Sequence, residues 1–187
     1  MMGEEKGKLA ALCISASVIF GILAAYAVVN YLPKSQLDAA KEFYDIETAM
    51  SVSPSDYIYD LKAGTRAGLV VDLRTPAQYN AGHLVTSVNV PAGQMSEEQI
   101  VAAFRRLPSD KPFITYCYSS YCMLSRKVGK TLADKGIFSK HLTAGWLEIQ
   151  RDYPGYVVNG SEPGSLSVSE NETVGVCDPT DEGEFGC

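Results

Sequence analysis

The chain has 187 residues, of which 46% are apolar and 20% are charged, and its formal net charge is −6. This length and composition predict one globular domain of modest size with flanking segments. Basic residues form no stripe along the sequence, so nucleic-acid binding is not expected.

The first distinctive feature is an apolar run over residues 9–32, which no charged side chain interrupts before Lys34. At about 1.5 Å per residue, such a helix is long enough to cross a hydrocarbon core about 30 Å thick. Lys6 and Lys8 precede the run, so residues 1–8 are expected in the cytoplasm and the rest of the chain outside it. The alternative is a cleavable signal peptide, since Ala25-Tyr26-Ala27 fits a cleavage site.

Residues 33–53 are predicted to form a helical stalk after this transmembrane anchor. The domain itself is expected over residues 54–158. Its first helix has a clear start, because Ser53 can cap the helix, Pro54 fits its first position and Asp56 lies in its first turn.

Strands and helices then alternate along the domain. The predicted strands are residues 68–73, 87–90, 112–117 and 140–143, and the predicted helices begin at residues 75, 96, 122 and 145. The run GLVVDL over residues 68–73 is nearly all apolar, as in a strand that is buried on both faces. This alternation predicts an α/β fold with a central parallel sheet and helices on both faces.

The C-terminal residues 159–187 are rich in Gly, Ser, Asp and Glu, and they predict a disordered acidic tail. Asn159 and Asn171 each begin a triplet that accepts N-linked glycans, in agreement with an extracytoplasmic location. Cys177 and Cys187 are expected to form a disulfide if the compartment is oxidising, with metal binding or intermolecular pairing as the alternative.

The loop at residues 117–122 (CYSSYC) carries the candidate chemistry. It joins the end of a predicted strand to the start of a helix, where backbone N–H groups and the helix dipole favour an anion. We expect this environment to stabilise the thiolate of Cys117. If the Cα atom of Cys122 lies within about 7 Å of that of Cys117, the two residues can form a disulfide.

Several motifs occur in an order that resembles the rhodanese superfamily. They are VVDLR at residues 70–74, Gln78-Tyr79 followed by Gly82-His83-Leu84, Asn89-Val90-Pro91, ITYC at residues 114–117 and LTAGW at residues 142–146. The resemblance covers roughly residues 54–155 and implies a three-layer fold around a parallel sheet. It also implies sulfur transfer through a persulfide on Cys117, cradled by the backbone amides of residues 118–122, without a metal or an organic cofactor.

The loop departs from the catalytic members of that family, which carry Arg directly after the cysteine and again at the sixth loop position. Tyr118 and Cys122 stand there instead, and Ser120 replaces the central glycine. Arg126 in the following helix is a candidate to replace part of the missing charge. Thiosulfate is therefore an unfavourable donor, and an uncharged or thiol-bound sulfur donor is easier to accommodate.

Cys117 and Cys122 are thus the candidate catalytic residues. The candidate substrate-binding residues are Tyr118, Ser119, Ser120, Tyr121 and Arg126. Cys122 is a candidate resolving thiol, although a packing role for its side chain fits equally well. The serines can bind an anion or only allow a tight turn, and the tyrosines can line a pocket or only be surface residues.

Four other residues are interpreted as structural, although Asp72, at the end of a strand, could instead be catalytic. Asp72 and Arg74 are expected to pair, His83 to hydrogen-bond within the framework, and Trp146 to lie in the core.

Four functions remain open at this point. The first is a membrane-anchored sulfurtransferase whose partners are a small sulfur donor or a thiol acceptor. The second is a thiol-disulfide redox protein, and the third is a non-catalytic rhodanese module that binds a protein partner. The fourth is a phosphatase, which is disfavoured because phosphatases of this fold use a loop one residue longer and a closing arginine.

Overall fold

The computed structural model describes residues 2–31, 35–65, 67–108 and 110–166. The chain divides into two compact units, residues 1–45 and the part from residue 46 onward. The first unit contains helix α1 (Met2–Tyr31) and most of helix α2 (Gln36–Met50), which ends in the second unit. Within α1, the apolar stretch Glu5–Val29 is long enough to cross a membrane, and a signal sequence would have the same properties.

The second unit is an α/β domain built on a five-stranded parallel sheet. Its strands are β1 (Ser51–Val52), β2 (Leu69–Asp72), β4 (Val88–Asn89), β5 (Phe113–Tyr116) and β6 (Ser139–Leu142), in the spatial order β1-β6-β5-β2-β4. Its helices are α3 (Pro54–Lys62), α4 (Pro76–Ala81), α5 (Glu97–Phe104), α6 (Leu124–Ala133) and α7 (Trp146–Asp152), with 3-10 turns at Ala92–Gln94 and Pro154–Tyr156. Strands β3 (His83–Leu84) and β7 (Val157–Val158) form a separate antiparallel pair.

Local signals start three of these helices as the sequence predicts. The Ser53 hydroxyl accepts from the Asp56 N–H at 3.0 Å. Thr75 and Ser96 each begin a capping box, with Gln78 and Gln99 as the reciprocal partners. Each cap satisfies backbone donors that the first helical turn leaves without a partner.

The sheet has one apolar core on each face, as expected for an α/β layer structure. On one face, side chains from α5 and α6 pack over β2 and β5, and they include Ile100, Phe104, Val128 and Leu132. On the other face, α3 and α7 contribute Tyr57, Ile58 and Ile149. The predicted α/β fold with a central parallel sheet is therefore confirmed.

Three short strands do not appear in the sequence prediction, and each contains only two residues. Strand β1 lies within the segment predicted as stalk, yet it pairs with β6 at the edge of the sheet. Contacts of the domain also extend past Val158, since His83 Nε2 lies 3.0 Å from the Glu162 carbonyl and Leu166 packs on the core. The rest of the predicted acidic tail, with Asn171, Cys177 and Cys187, lies outside the described residues.

The predicted Asp72–Arg74 pair is present and buried at the carboxyl end of β2. Arg74 Nε donates to Asp72 Oδ1 at 3.0 Å, and Arg74 Nη2 donates to the Gly82 carbonyl at 2.7 Å. The Tyr116 hydroxyl donates to Asp72 Oδ2 at 2.6 Å, and burial and this carboxylate raise the pKa of Tyr116. The ring of Trp146 covers the guanidinium, with 4.2 Å between Arg74 Cζ and the ring centroid.

His83 is fully buried and has the structural role that its motif predicts. Its Nδ1 lies 2.9 Å from the Tyr79 carbonyl and its Nε2 lies 3.0 Å from the Glu162 carbonyl. The imidazole also stacks on the Tyr79 ring at 3.6 Å between centroids. His83 therefore holds α4, β3 and the segment after β7 together.

Replacing Asp72 with Asn should destabilise the domain strongly, because it leaves the buried guanidinium of Arg74 without a counter-charge. The expected loss is about 3–5 kcal/mol in the free energy of unfolding. Urea unfolding followed by the fluorescence of Trp146, the only tryptophan in the chain, measures this loss. Tyr116→Phe removes two hydrogen bonds, to Asp72 and from the Leu84 N–H, and no charge, so it should lose only about 1–3 kcal/mol. Equal losses for the two variants would contradict the ion-pair argument.

Candidate active site

Cys117 is the first residue after the central strand β5, and its side chain is only 2% exposed. Side chains alternate between the two faces of a strand. Tyr116 accordingly faces the core that contains α3 and α7, whereas Cys117 belongs to the opposite core with Val71 and Leu73. The position of Cys117 at the carboxyl edge of a parallel sheet is where open α/β sheets bind their ligands.

Cys122 lies close enough to Cys117 to meet the distance condition that the sequence analysis set for a disulfide bond. Their Cα atoms are 6.5 Å apart and their sulfur atoms are bonded. Cys122 is partly exposed, and its side chain packs on the core that contains Cys117. Cys122 is therefore the more accessible of the two cysteines.

The loop between β5 and α6 is fixed by backbone hydrogen bonds. The N–H of Cys122 donates to the Ser119 carbonyl at 3.0 Å, which closes a turn inside the loop. The N–H groups of Trp146 and Leu147, at the start of α7, donate to the carbonyls of Cys117 and Tyr118 at 2.8 and 3.0 Å. The start of α7 thus holds the beginning of the candidate active-site loop.

Gly145 allows this close approach between the loop and α7. A Cβ atom at position 145 would overlap with the backbone of Ser119, which cannot move away as a flexible side chain can. Glycine is therefore required at position 145, because the backbone of the candidate active-site loop lies directly against it.

Glu148 is a site residue that the sequence analysis missed. Its carboxylate accepts from the Ser120 N–H at 3.2 Å, from the Ser120 hydroxyl at 3.1 Å and from the Gly145 N–H at 2.9 Å. Burial alone would raise the pKa of Glu148, but these hydrogen bonds outweigh it and lower the pKa below its usual value. The loop therefore already binds a negative charge, that of the Glu148 carboxylate, through Ser120.

The available signal for Glu148 was its position three residues after Gly145, where a capping residue of α7 would stand. That signal predicts only the hydrogen bond to Gly145. The hydrogen bonds from Ser120 to Glu148 depend on the packing of the loop against α7. A pattern of neighbouring residues does not predict that packing.

The amides that the resemblance assigns to the sulfur cradle divide into two groups. Those of Ser120 and Cys122 already donate to protein acceptors. Those of Tyr118, Ser119 and Tyr121 donate to no acceptor within the described part of the chain. No protein acceptor in the described part of the chain therefore occupies these three N–H groups.

The side chains predicted to bind substrate lie in different surroundings. Tyr118 and Tyr121 are 40% and 90% exposed at the loop surface, and Ser120 is bonded to Glu148. Ser119 contributes its carbonyl to the loop turn. Arg126 on α6 lines a cavity that also contains His141 of β6. Among the described residues, no group of three or more His, Cys, Asp or Glu side chains is placed to hold a metal ion.

Comparison with known proteins agrees with this fold. Residues 55–152 match the family defined by the Rhodanese-like domain, and the chain belongs to that family. The solved BH2092 protein from Bacillus halodurans is 26% identical, with a TM-score of 0.56 over 67% of this chain and 88% of that one.

Two curated relatives share part of their length with this chain. The HTH-type transcriptional regulator Rv0324 of Mycobacterium tuberculosis is 30% identical over 100 residues, which are 51% of this chain and 42% of the relative. The uncharacterized protein YqhL of Bacillus subtilis is 27% identical over 77 residues, which are 41% of this chain and 56% of the relative. The chain thus spans about half the length of the curated relatives it matches.

Replacing Glu148 with Gln should cost about 1 kcal/mol in the free energy of unfolding at neutral pH, because an amide accepts these hydrogen bonds less strongly than a carboxylate. The pKa of Glu148 is lowered in the folded state, so its carboxylate contributes stability that is present above its unfolded pKa and lost as the pH falls through the folded value. Urea unfolding of both proteins across acidic pH checks this; a difference that stays constant with pH would refute it.

Proposed function

We propose that this protein handles sulfane sulfur through a persulfide on Cys117 and acts as a sulfurtransferase. One observation carries the proposal: in a rhodanese-like domain, Cys117 follows the central strand at the carboxyl edge of the sheet, and a second cysteine lies within bonding distance. A buried first thiol and a more exposed second thiol suit a sulfur that is first accepted and then released.

In the first step, the Cys117 thiolate attacks the outer sulfur of a low-molecular-weight persulfide. A bond forms between Cys117 Sγ and that sulfur, the sulfur–sulfur bond of the donor breaks, and the donor leaves as a thiolate. The proton on the outer sulfur stays with it or is exchanged with water. Cys117 then carries one additional sulfur, and no electron is gained or lost overall.

The second step uses Cys122. Its thiolate attacks Cys117 Sγ, a disulfide forms between the two residues, and the outer sulfur leaves as hydrosulfide. The sulfane sulfur is reduced by two electrons while the two thiols are oxidised to the disulfide. A thiol reductant restores the dithiol, and transfer of the outer sulfur to an acceptor thiol is the route that bypasses this step.

The charge around the loop favours an uncharged or thiol-bound donor over thiosulfate. Tyr118 and Cys122 stand where catalytic relatives carry arginines, and the carboxylate of Glu148 already accepts from the loop. A dianion placed there would lack cationic partners and would be repelled by Glu148.

Thiol–disulfide exchange with a partner protein is the second candidate function, and the Cys117–Cys122 disulfide favours it. In this case the two cysteines cycle between dithiol and disulfide without a persulfide. The exposed side chains of Tyr121 and Met123 beside the disulfide offer contacts to such a partner.

Mass spectrometry after thiol trapping distinguishes these functions. Treated with cysteine persulfide, reduced wild-type protein should form the Cys117–Cys122 disulfide and release hydrosulfide. Cys122→Ser should instead accumulate Cys117 that is heavier by one sulfur atom, because the resolving thiol is absent. Cys117→Ser should do neither, and Cys13→Ser, which removes the free cysteine in α1, should behave as wild type.

Two outcomes would contradict the sulfurtransferase. The first is Cys122→Ser protein that never gains a sulfur on Cys117 from any donor. If its wild-type parent also exchanges disulfides with a dithiol reductant, the redox function replaces the proposal. The second is faster loading from thiosulfate than from cysteine persulfide, which would refute the argument from loop charge.

We also propose that α1 is an uncleaved membrane anchor and that the domain lies outside the cytoplasm. The run without charged side chains over residues 9–32 continues past Ala27, and Lys6 and Lys8 precede it. Lys and Arg residues near a membrane helix favour the cytoplasmic side. The exposed position of Asn159, the first residue of a glycan acceptor triplet, is compatible with this orientation.

The anchor is tested by the mass and the fractionation of the mature protein. We expect the protein to stay in membranes after extraction with alkaline carbonate and to retain the residues before Ala27. A soluble protein that begins after Ala27 would show that α1 is a signal peptide. Protease added outside intact cells should remove the domain, and protection of the domain would contradict the proposed orientation.

A further inference from the structure

The loop that joins β5 to α6 contains a tight turn between its two cysteines. Its first two carbonyls, those of Cys117 and Tyr118, accept from the start of α7. The turn follows, closed by the Cys122 N–H on the Ser119 carbonyl, and Ser120 is the first of its two corner residues. The path on which the chain returns from Cys117 to Cys122 therefore depends on the conformation of Ser120.

Glu148 holds this corner residue by its backbone and by its side chain. One carboxylate oxygen, Oε2, accepts from the Ser120 N–H at 3.2 Å, and the other, Oε1, accepts from the Ser120 hydroxyl at 3.1 Å. The Oε2 atom also accepts from the Gly145 N–H at 2.9 Å, which fixes the carboxylate on α7. Hydrogen bonds to a charged acceptor are stronger than those to a neutral one. We call this carboxylate with its three hydrogen bonds the Glu148 clamp.

The two cysteines are bonded across the clamped turn, with 6.5 Å between their Cα atoms. A turn without the clamp has more conformations open to it, and Cys122 approaches Cys117 in only some of them. Holding two groups in a reactive geometry favours their reaction, because the entropy of bringing them together has already been lost. The Glu148 clamp should therefore raise the effective concentration of the Cys122 thiol at Cys117.

We propose that Glu148 is a positioning residue that directs the Cys117 persulfide to internal resolution by Cys122, an inference that rests on the function proposed above. With the turn held, the Cys122 thiolate attacks Cys117 Sγ, the disulfide forms and the outer sulfur leaves as hydrosulfide. Two electrons pass from the two cysteines to the departing sulfur. With the turn released, the persulfide lasts longer, and its outer sulfur is open to transfer to an acceptor thiol.

The charge of Glu148 has a second effect, which must be separated from positioning. A nearby anion disfavours thiolates and thereby favours the neutral disulfide. Glu148→Asp keeps the charge but is shorter by one methylene group, so the carboxylate no longer reaches Ser120 from α7. Ser120→Ala keeps the charge and the bond to Gly145, and it removes only the hydroxyl bond. Positioning predicts that both variants weaken the disulfide, whereas charge alone predicts that neither does.

The first measurement is the equilibrium between dithiol and disulfide in glutathione buffers. Full-length protein in lipid nanodiscs has Cys13, Cys177 and Cys187 replaced by Ser, so that alkylation and mass spectrometry report only the loop cysteines. We expect Glu148→Gln and Glu148→Asp to lower the equilibrium constant for disulfide formation about fivefold. Ser120→Ala should lower it about twofold to threefold, because fewer hydrogen bonds are lost.

Gln99→Ala is the matched control for a loss of stability. It removes the bond from the Ser96 N–H to the Gln99 side chain at the start of α5, which lies outside the loop. Its equilibrium constant should equal that of wild type, and urea unfolding of the reduced variants verifies that each is folded.

The second measurement is the lifetime of the persulfide after one equivalent of cysteine persulfide is added. Samples are quenched with iodoacetamide at increasing times, and Cys117 that carries one additional sulfur is followed by mass. It should persist about fivefold longer in Glu148→Gln than in wild type. The double variant Glu148→Gln/Cys122→Ser should load as completely as Cys122→Ser, because the first step does not use the turn.

Three results would overturn the proposal. They are an equilibrium constant that Glu148→Gln leaves unchanged, a Glu148→Asp variant that behaves as wild type, and an equal fall in Gln99→Ala. Failure of the proposed function has a different signature, which is a Cys122→Ser variant that never gains a sulfur. In that case the glutathione equilibrium still decides whether Glu148 holds the two cysteines together.

Discussion

A buried guanidinium determines much of the arrangement at the carboxyl edge of the sheet. Arg74 cannot be solvated there, so its donors need protein acceptors and its charge needs a counter-ion. Asp72 on β2 supplies the charge and the Gly82 carbonyl supplies a further acceptor. Tyr116 on β5 then satisfies Asp72, and Trp146 on α7 covers the guanidinium. Tyr116 is the residue directly before Cys117, and the backbone N–H of Trp146 donates to the Cys117 carbonyl.

The position of Cys117 follows from this cluster. The hydrogen bond to Asp72 fixes Tyr116, and the side chain of the next residue, Cys117, therefore points into the opposite core. The indole ring of Trp146 lies over Arg74, and the backbone N–H of Trp146 donates to the Cys117 carbonyl. The sulfur of Cys117 is thus positioned by the framework around Arg74.

Glu148 changes the electrostatic character of a loop whose backbone otherwise favours anions. The loop binds a carboxylate of its own chain through Ser120, while the positions of the two family arginines hold Tyr118 and Cys122. The proposed preference for uncharged sulfur donors depends on this internal anion and on the second thiol. The cationic residues of the following helix lie elsewhere, since Arg126 and Lys130 line the cavity beside β6.

The structure decided that the two loop cysteines lie within bonding distance, whereas the sequence by itself determined the parallel α/β fold, the capped helices and the Asp72–Arg74 pair. These features depend on local signals: apolar runs, capping residues and residues a few positions apart. Only the tertiary structure revealed the two-residue strands β1, β3 and β7, the bonds between Glu148 and Ser120, and the cavity with Ser139 and His141. Each of these joins segments distant in the chain, and the contacts exist because the sheet and its helices bring those segments together.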